Sequence, residues 1–227
     1  MGDYALQRKN MVESQVRPSD VTDRRIIRAM SNVPREDFVP AAARPLAYMD
    51  EAIPLHDSRT RGLSARTLMA PRTFAKLLVL ADFEEGDRVL IVGSGCGYSA
   101  AVIAEIVTSV VCVETDSALL AAARTAVATL PPVTAARITF HQGDLAAGFA
   151  DRGPYHVIVV EGAVPELPPA LLQQLSQGGR CVGVEQRGTV GHATVWRRVG
   201  ETFATLQAFE ATAGQLPGFA KPATFAL

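Results

Sequence analysis

Apolar positions recur along this chain with two different periods, and the change falls near residue 88. Before it the spacing is helical. Ala5 to Val16 reads as a short amphipathic helix with Leu6, Met11 and Val12 on its stripe, stopped by Pro18. Thr22 is a plausible cap for a second helix in which Ile26, Ile27 and Met30 share a face. Pro34, Pro40 and Pro45 punctuate an irregular stretch, and residues 56–70 form a polar, basic linker. A helix opens at Pro71, with Phe74, Leu77, Leu78 and Leu80 on its apolar side.

After Arg88, short apolar runs alternate with amphipathic ones. Val89–Val92, Val110–Glu114, Arg137–His141, Tyr155–Val160 and Cys181–Val184 read as strands. Tyr98–Val107, Ser117–Leu130 (capped by Asp116 or Ser117) and Pro168–Gln177 read as helices, the last closed by Gly178-Gly179. Leu119, Leu120, Ala123 and Val127 give the middle helix its inner stripe, and Thr194–Val199 with Thr202–Phe209 pair as a hairpin around Gly200. This pattern predicts an α/β fold: a mostly parallel sheet covered on both faces, an antiparallel C-terminal hairpin and an N-terminal helical cap.

Composition narrows the class. The chain has 227 residues, 48% of them hydrophobic and 20% charged, so a sizeable core forms. A formal net charge of -1 gives no sign of a nucleic-acid-binding face. No apolar run reaches the ~18 residues of a membrane span, and Met1 to Asn10 lacks a secretory core. Cys96, Cys112 and Cys181 have no motif spacing and read as reduced thiols of a cytoplasmic protein. His56, His141, His156 and His192 stand apart, so no metal site is expected.

Candidate chemistry gathers behind the first strand. Gly93-Ser94-Gly95-Cys96-Gly97 follows a buried strand and opens a helix, which presents bare backbone to a ligand at the carboxyl ends of parallel strands. Glu114, followed by Thr115, ends the next strand about where an acid meets ribose hydroxyls. Gly143-Asp144-Leu145 ends the third, where Asp144 suits an adenine amino group or a plain turn. Glu161-Gly162-Ala163 ends the fourth; the small residues would keep a crevice open, and Glu161 is either a crevice acid or a solvated one. The glycine spacing is not the Gly-x-Gly-x-x-Gly of dinucleotide sites, and no second pyrophosphate loop follows. An adenosyl ligand without phosphates, such as S-adenosylmethionine, fits better.

Several stretches resemble the protein-L-isoaspartate O-methyltransferase family. Met11-Val12-Glu13-Ser14-Gln15-Val16-Arg17-Pro18 is similar to its opening helix, and Asp23 to Met30 followed by Val33-Pro34-Arg35-Glu36-Asp37-Phe38-Val39-Pro40 resembles its most specific signature, continued by Ala47 to Asp50 and Ile53-Pro54-Leu55. The glycine loop, Glu114, Gly143-Asp144, Tyr155 to Val160 and Pro165 to Leu175 follow in matching order. The resemblance implies a Rossmann-like methyltransferase sheet within one domain over residues 1–227. Residues 1–70 would be cap and substrate-side linker, and 71–227 the cofactor-binding core. It implies S-adenosylmethionine as cofactor, bound by Gly93, Ser94, Gly95, Gly97, Glu114, Thr115, Gly143, Asp144, Leu145 and Glu161. The acceptor would be an isoaspartyl carboxylate in a protein or peptide, in a repair reaction.

Two departures bear on the acceptor. Where the family has Gln-Thr-Ile-Ser-Gln-Pro, with a serine tied to the active site, this chain has Arg66-Thr67-Leu68-Met69-Ala70-Pro71. Thr67 survives and Met69 stands in the serine's place. The terminal Gly214-Gln215-Leu216-Pro217-Gly218-Phe219 also lacks the family's Phe-Val-Pro-Leu ending. Three readings follow: an isoaspartyl methyltransferase, a family member retargeted to another acceptor such as a small molecule, or a non-catalytic S-adenosylmethionine-binding protein. Arg59, Arg61 and Arg66 either attract an acidic peptide or lie in a solvated loop. The sequence is silent on oligomeric state.

Overall fold

The computed structural model describes residues 3–55 and 66–219. Its centre is strand β3 (Arg88–Val92). In a strand, successive side chains point to opposite faces. Val89 and Ile91 accordingly enter one core and Leu90 and Val92 another. The same division recurs in β4 (Ser109–Glu114), where Val110 and Cys112 part from Val111 and Val113, and in β6 (Tyr155–Val164), where Val157 and Val159 part from Ile158 and Val160. A continuous apolar run is therefore what a strand buried on both faces requires.

Together with β5 (Ile138–Gln142), β7 (Leu175–Arg187), β8 (Val190–Val199) and β9 (Thr202–Glu210), these strands form a seven-stranded sheet in the order β5-β4-β3-β6-β7-β8-β9. Strands β5 through β7 pair in parallel, and β8 and β9 close the sheet antiparallel, as the hairpin pattern predicts. A two-stranded antiparallel ribbon, β1 (Ile53–Pro54) with β2 (Thr67–Leu68), stands apart.

One face packs on helices. These are α1 (Tyr4–Met11), α2 (Arg24–Asn32), α3 (Pro71–Ala81), α4 (Tyr98–Ala104) and α5 (Ser117–Val127), which share a core with β3. A four-residue turn of helix, α6 (Pro132–Ala135), precedes β5. The other face differs from expectation. The helix over Pro168–Gln177 shrinks to α7 (Pro169–Leu172), and Gly178-Gly179 lie inside β7 instead of closing a helix. Gln174 explains the early stop. Its side-chain amide donates to Ala147 O and accepts from Phe149 N, tying the chain to the preceding loop as β7 begins. Leu171, Leu172 and Leu175 still point inward, joined by Leu216 and Phe219 from the C-terminal segment.

Smaller differences have local causes. Asp23, not Thr22, caps α2, because its carboxylate accepts from Arg25 N. Leu6 is exposed, whereas Met11 and Val12 are buried. Pro18 does not end the first helix; the chain continues as a wide turn over Val12–Val16 and a tight one over Arg17–Ser19. Helix α4 stops at Ala104, short of Val107, and Asp116 caps α5 as expected. Strand β6 runs to Val164, so Glu161 lies within it. Of the polar linker, residues 66–70 are among those described, with Thr67 and Leu68 in β2. Arg59 and Arg61 fall outside the described residues. No helix of the described residues is long and apolar enough to cross a membrane.

Candidate functional site

The chain runs from β3 out to β5 on one side, then crosses to β6 on the other. That reversal opens a crevice above the carboxyl ends of β3 and β6, where open α/β sheets bind ligands. The glycine loop sits there. Gly93, Gly95 and Gly97 hold φ of 77, 52 and 87°, values that a side chain disfavours. Gly93 N donates to Val113 O at 2.9 Å, which docks the loop on β4. Gly97 serves a different purpose from its neighbours. A Cβ there would lie 3.1 Å from the Cβ of Ala123, so glycine lets α4 and α5 approach.

Glu114 is the most heavily bonded side chain of the site. It is 0% exposed. Oε1 accepts from Thr115 N at 2.9 Å and Asp116 N at 3.1 Å, and Oε2 from Gly95 N at 2.8 Å. Arg66 supplies the rest: Nη1 donates to Oε1 at 2.8 Å and Nη2 to Oε2 at 2.9 Å. Nη2 also donates to Gly93 O at 2.9 Å. Arg66 is itself only 5% exposed. It does not lie in a solvated basic loop; it is a buried plug in the crevice.

Two apolar side chains complete the closure. A Cβ at Gly95 would lie 2.9 Å from Leu55 Cδ1, and one at Gly93 would lie 2.9 Å from Leu216 Cδ2. Leu216 also covers Gly162, whose Cβ would meet its Cγ at 2.6 Å. Gly162 and Ala163 thus do not keep the crevice open; they make room for the C-terminal segment. Ala163 N donates to Gly214 O at 2.8 Å and Leu216 N to Ala163 O at 2.9 Å, pinning that segment to β6. The loop remains a cradle whose bare backbone faces what covers it. That shape fits a group brought close to the main chain, as a nucleoside would be.

Glu161 is buried, not solvated. Ser99 Oγ donates to its Oε2 at 2.6 Å. Burial pushes its carboxyl up to about 7, against the opposing pull of Ser99 and of the Arg66 and Arg35 charges. Asp144 is exposed and accepts from Ala146 N at 2.9 Å, a turn that leaves an oxygen facing out. Gly143 N donates to Glu114 O at 3.1 Å, joining the two strand ends. Leu145 is buried in the second core, and Thr115 is exposed with only its N–H engaged at Glu114.

In the β1–β2 ribbon, Thr67 is half-buried opposite Pro54. Met69 is buried in the helical core, and its carbonyl accepts from Arg35 Nη2 at 2.6 Å. Arg35 Nε donates to Ala47 O at 2.7 Å, and its guanidinium lies 4.8 Å from the Tyr98 ring centroid. Sequence reasoning missed Leu55, Leu216 and Arg35 as parts of this site, and missed that Arg66 pairs with Glu114 across 48 residues. Arg35 had a signal, since it sits in the Val-Pro-Arg-Glu run. Leu55 had one too, in the Ile53-Pro54-Leu55 stretch that continues the family resemblance; the contacts of Leu216 and Arg66 had none, because a contact between distant segments leaves no periodic trace.

The family model described as protein-L-isoaspartate(D-aspartate) O-methyltransferase matches residues 6–203. Among curated proteins, the protein-L-isoaspartate O-methyltransferase of Koribacter versatilis is 37% identical, over 79% of this chain and 76% of that protein. The protein of the same name from Herpetosiphon aurantiacus is 39% identical, over 79% and 75%. A solved protein-L-isoaspartate O-methyltransferase superposes with a TM-score of 0.80 at 24% identity, covering 93% of this chain and 66% of that one. A Plasmodium falciparum structure described under the same activity, in complex with S-adenosyl-L-homocysteine, superposes with a TM-score of 0.78 at 17% identity, covering 92% and 97%.

Proposed function

This chain belongs to the protein-L-isoaspartate(D-aspartate) O-methyltransferase family, and from that premise we propose that its crevice performs methyl transfer from S-adenosylmethionine to an isoaspartyl carboxylate. The observation that carries the reading is Glu114. At the end of β4 its Oε2 accepts from Gly95 N of the glycine loop and its Oε1 from Thr115 N and Asp116 N, the placement that suits a ribose diol. Asp144 would meet the adenine amino group, with Gly143 and Leu145 shaping that side. Gly93, Ser94 and Gly95 would let the amino-acid end approach the backbone.

When bound, S-adenosylmethionine supplies an electrophilic methyl group on sulfur. The chain's part is placement. An acceptor carboxylate with a pKa near ~4 is already ionised at neutral pH, so no strong base is needed. With the cofactor held by the glycine loop and Glu114, the carboxylate oxygen would take the methyl group and the carbon–sulfur electron pair would remain on sulfur. Holding the two partners in line is what the crevice contributes, by removing the entropy of a bimolecular encounter. Thr67 borders the acceptor side; Met69, which stands in the serine's place, turns its side chain into the helical core, so one positioning hydrogen bond is lost. Such a loss slows turnover without removing a nucleophile. The same substitution is what favours a retargeted acceptor as the second reading.

The three cysteines are free and buried, which supports a cytoplasmic setting. A radiolabelled methyl-transfer assay on an isoaspartyl peptide and its aspartyl twin tests the reading. The expected result is base-labile label on the isoaspartyl peptide alone, raised by Met69→Ser. Label on neither peptide, in a protein that binds S-adenosylhomocysteine, would leave only the retargeted acceptor or a non-catalytic role.

A further inference from the structure

The Arg66–Glu114 pair occupies the position that the proposed function assigns to the cofactor's ribose. Glu114 accepts five hydrogen bonds, and an ionised carboxylate offers about four lone-pair sites. Three of the donors are backbone amides fixed by the fold. The two that can be exchanged belong to Arg66, and a cis-diol offers two O–H donors in their stead. Arg66 and the ribose therefore compete for the same oxygens.

A displaced Arg66 has few places to go. Beyond Glu114, the guanidinium's one other hydrogen bond among the described residues is to Gly93 O, so it stays above the glycine loop. It precedes Thr67 by one residue and Met69 by three, on the acceptor side. The other buried cation nearby, Arg35, has Nε and Nη2 committed to Ala47 O and Met69 O and its guanidinium against the Tyr98 ring, so only Nη1 is unpartnered among the described residues and it has no free two-nitrogen fork. A guanidinium left unpaired in a crevice this dry is costly, and its planar fork matches a carboxylate with two parallel hydrogen bonds.

We propose that Arg66 is the residue that binds the acceptor carboxylate, and that it is held on Glu114 until the ribose releases it. The inference rests on the ribose role of Glu114. It makes binding ordered: cofactor first, anionic acceptor second. By linkage, the acceptor tightens the cofactor by the same factor as the cofactor tightens the acceptor.

Calorimetry on the full chain tests this without turnover. S-adenosylhomocysteine is titrated into wild type, Arg66→Ala and Arg66→Lys, and an isoaspartyl peptide is titrated into each protein with and without it. In wild type, S-adenosylhomocysteine is expected to tighten the peptide by about 5- to 150-fold, the usual span of coupling between sites. Arg66→Ala is expected to bind S-adenosylhomocysteine at least ~5-fold tighter and to lose that coupling. Arg66→Lys, which keeps the charge without the fork, should retain part of it and serves if the alanine variant does not fold. Unchanged or weaker S-adenosylhomocysteine binding by Arg66→Ala, or coupling that survives it, overturns this inference alone. No binding by any of the three proteins overturns the ribose role of Glu114 and this inference with it.

Discussion

The sheet carries a buried arginine–carboxylate pair at each end, and the two are built for different purposes. At the amino ends of the strands, Arg180 Nη2 donates to Asp87 Oδ2 at 2.8 Å. The same guanidinium donates to Ala81 O at 2.6 Å and to Asp82 O, the last carbonyls of α3. Every partner is fold, so the pair staples helix to sheet. At the carboxyl ends, Arg66 holds Glu114 and one carbonyl of the glycine loop. Its partners are the groups that a ligand would use. Two pairs of similar chemistry and burial thus differ in whether anything is expected to replace them. A buried ion pair reports on stability only after its partners have been identified.

The sharpest way to break this contrast is to remove each arginine. Arg180→Ala leaves buried Asp87 with the single amide of Glu84 as its hydrogen-bond donor among the described residues and uncaps α3, so unfolding in urea should show a loss of about 3–5 kcal/mol. Its S-adenosylhomocysteine affinity should stay within about twofold, since it lies at the far end of the strands from the crevice. A large loss of affinity would mean that the two ends are coupled and the division is false.

Glu161 sharpens the comparison, because it is a buried acid at the functional end with no arginine bonded to it among the described residues. Its carboxyl is raised from 4.5 to about 7, chiefly by burial. Between those values the unfolded chain has released the proton and the folded chain keeps it. Stability therefore falls as pH rises from about 4.5 to about 7 and is level above, a cost of about 3 kcal/mol. Glu161→Gln should erase that slope and be the more stable protein at pH 8, as read by thermal unfolding across pH. Parallel pH profiles for the two proteins would place the ionised form comfortably in the crevice instead.

Arg66→Ala should cost only about 1–2 kcal/mol in urea, because Glu114 keeps three backbone amide donors and is not stranded. A cost equal to that of Arg180→Ala would make Arg66 a staple as well. The smallest effect belongs to Asp144→Ala. One exposed hydrogen bond to the base is worth about 1 kcal/mol, so S-adenosylhomocysteine should bind roughly fivefold more weakly with folding unchanged. Affinity equal to wild type would remove Asp144 from the site.

The sheet was legible in the chain because its cause is local. Val89 to Val92 has to be buried on both faces, and only a central parallel strand does that. Asp116 as a cap and the Leu119–Val127 stripe were legible for the same reason: each rests on neighbours within a turn or two. Pro168–Gln177 was not. Its apolar spacing is helical, but Gln174 reaches back to the 147–149 segment, and such a contact overrides propensity without marking the sequence.

The site divides in the same way. The glycine loop, the acid behind it and the family could be read from the residues alone, because backbone freedom at φ > 0 and strand-end position depend on residues close in the chain. Only the tertiary structure decided that Arg66 lies on Glu114 and that Leu216 lies on Gly93 and Gly162. Those contacts join segments tens to more than a hundred residues apart. Burial made them strong, and distance along the chain kept them out of the pattern.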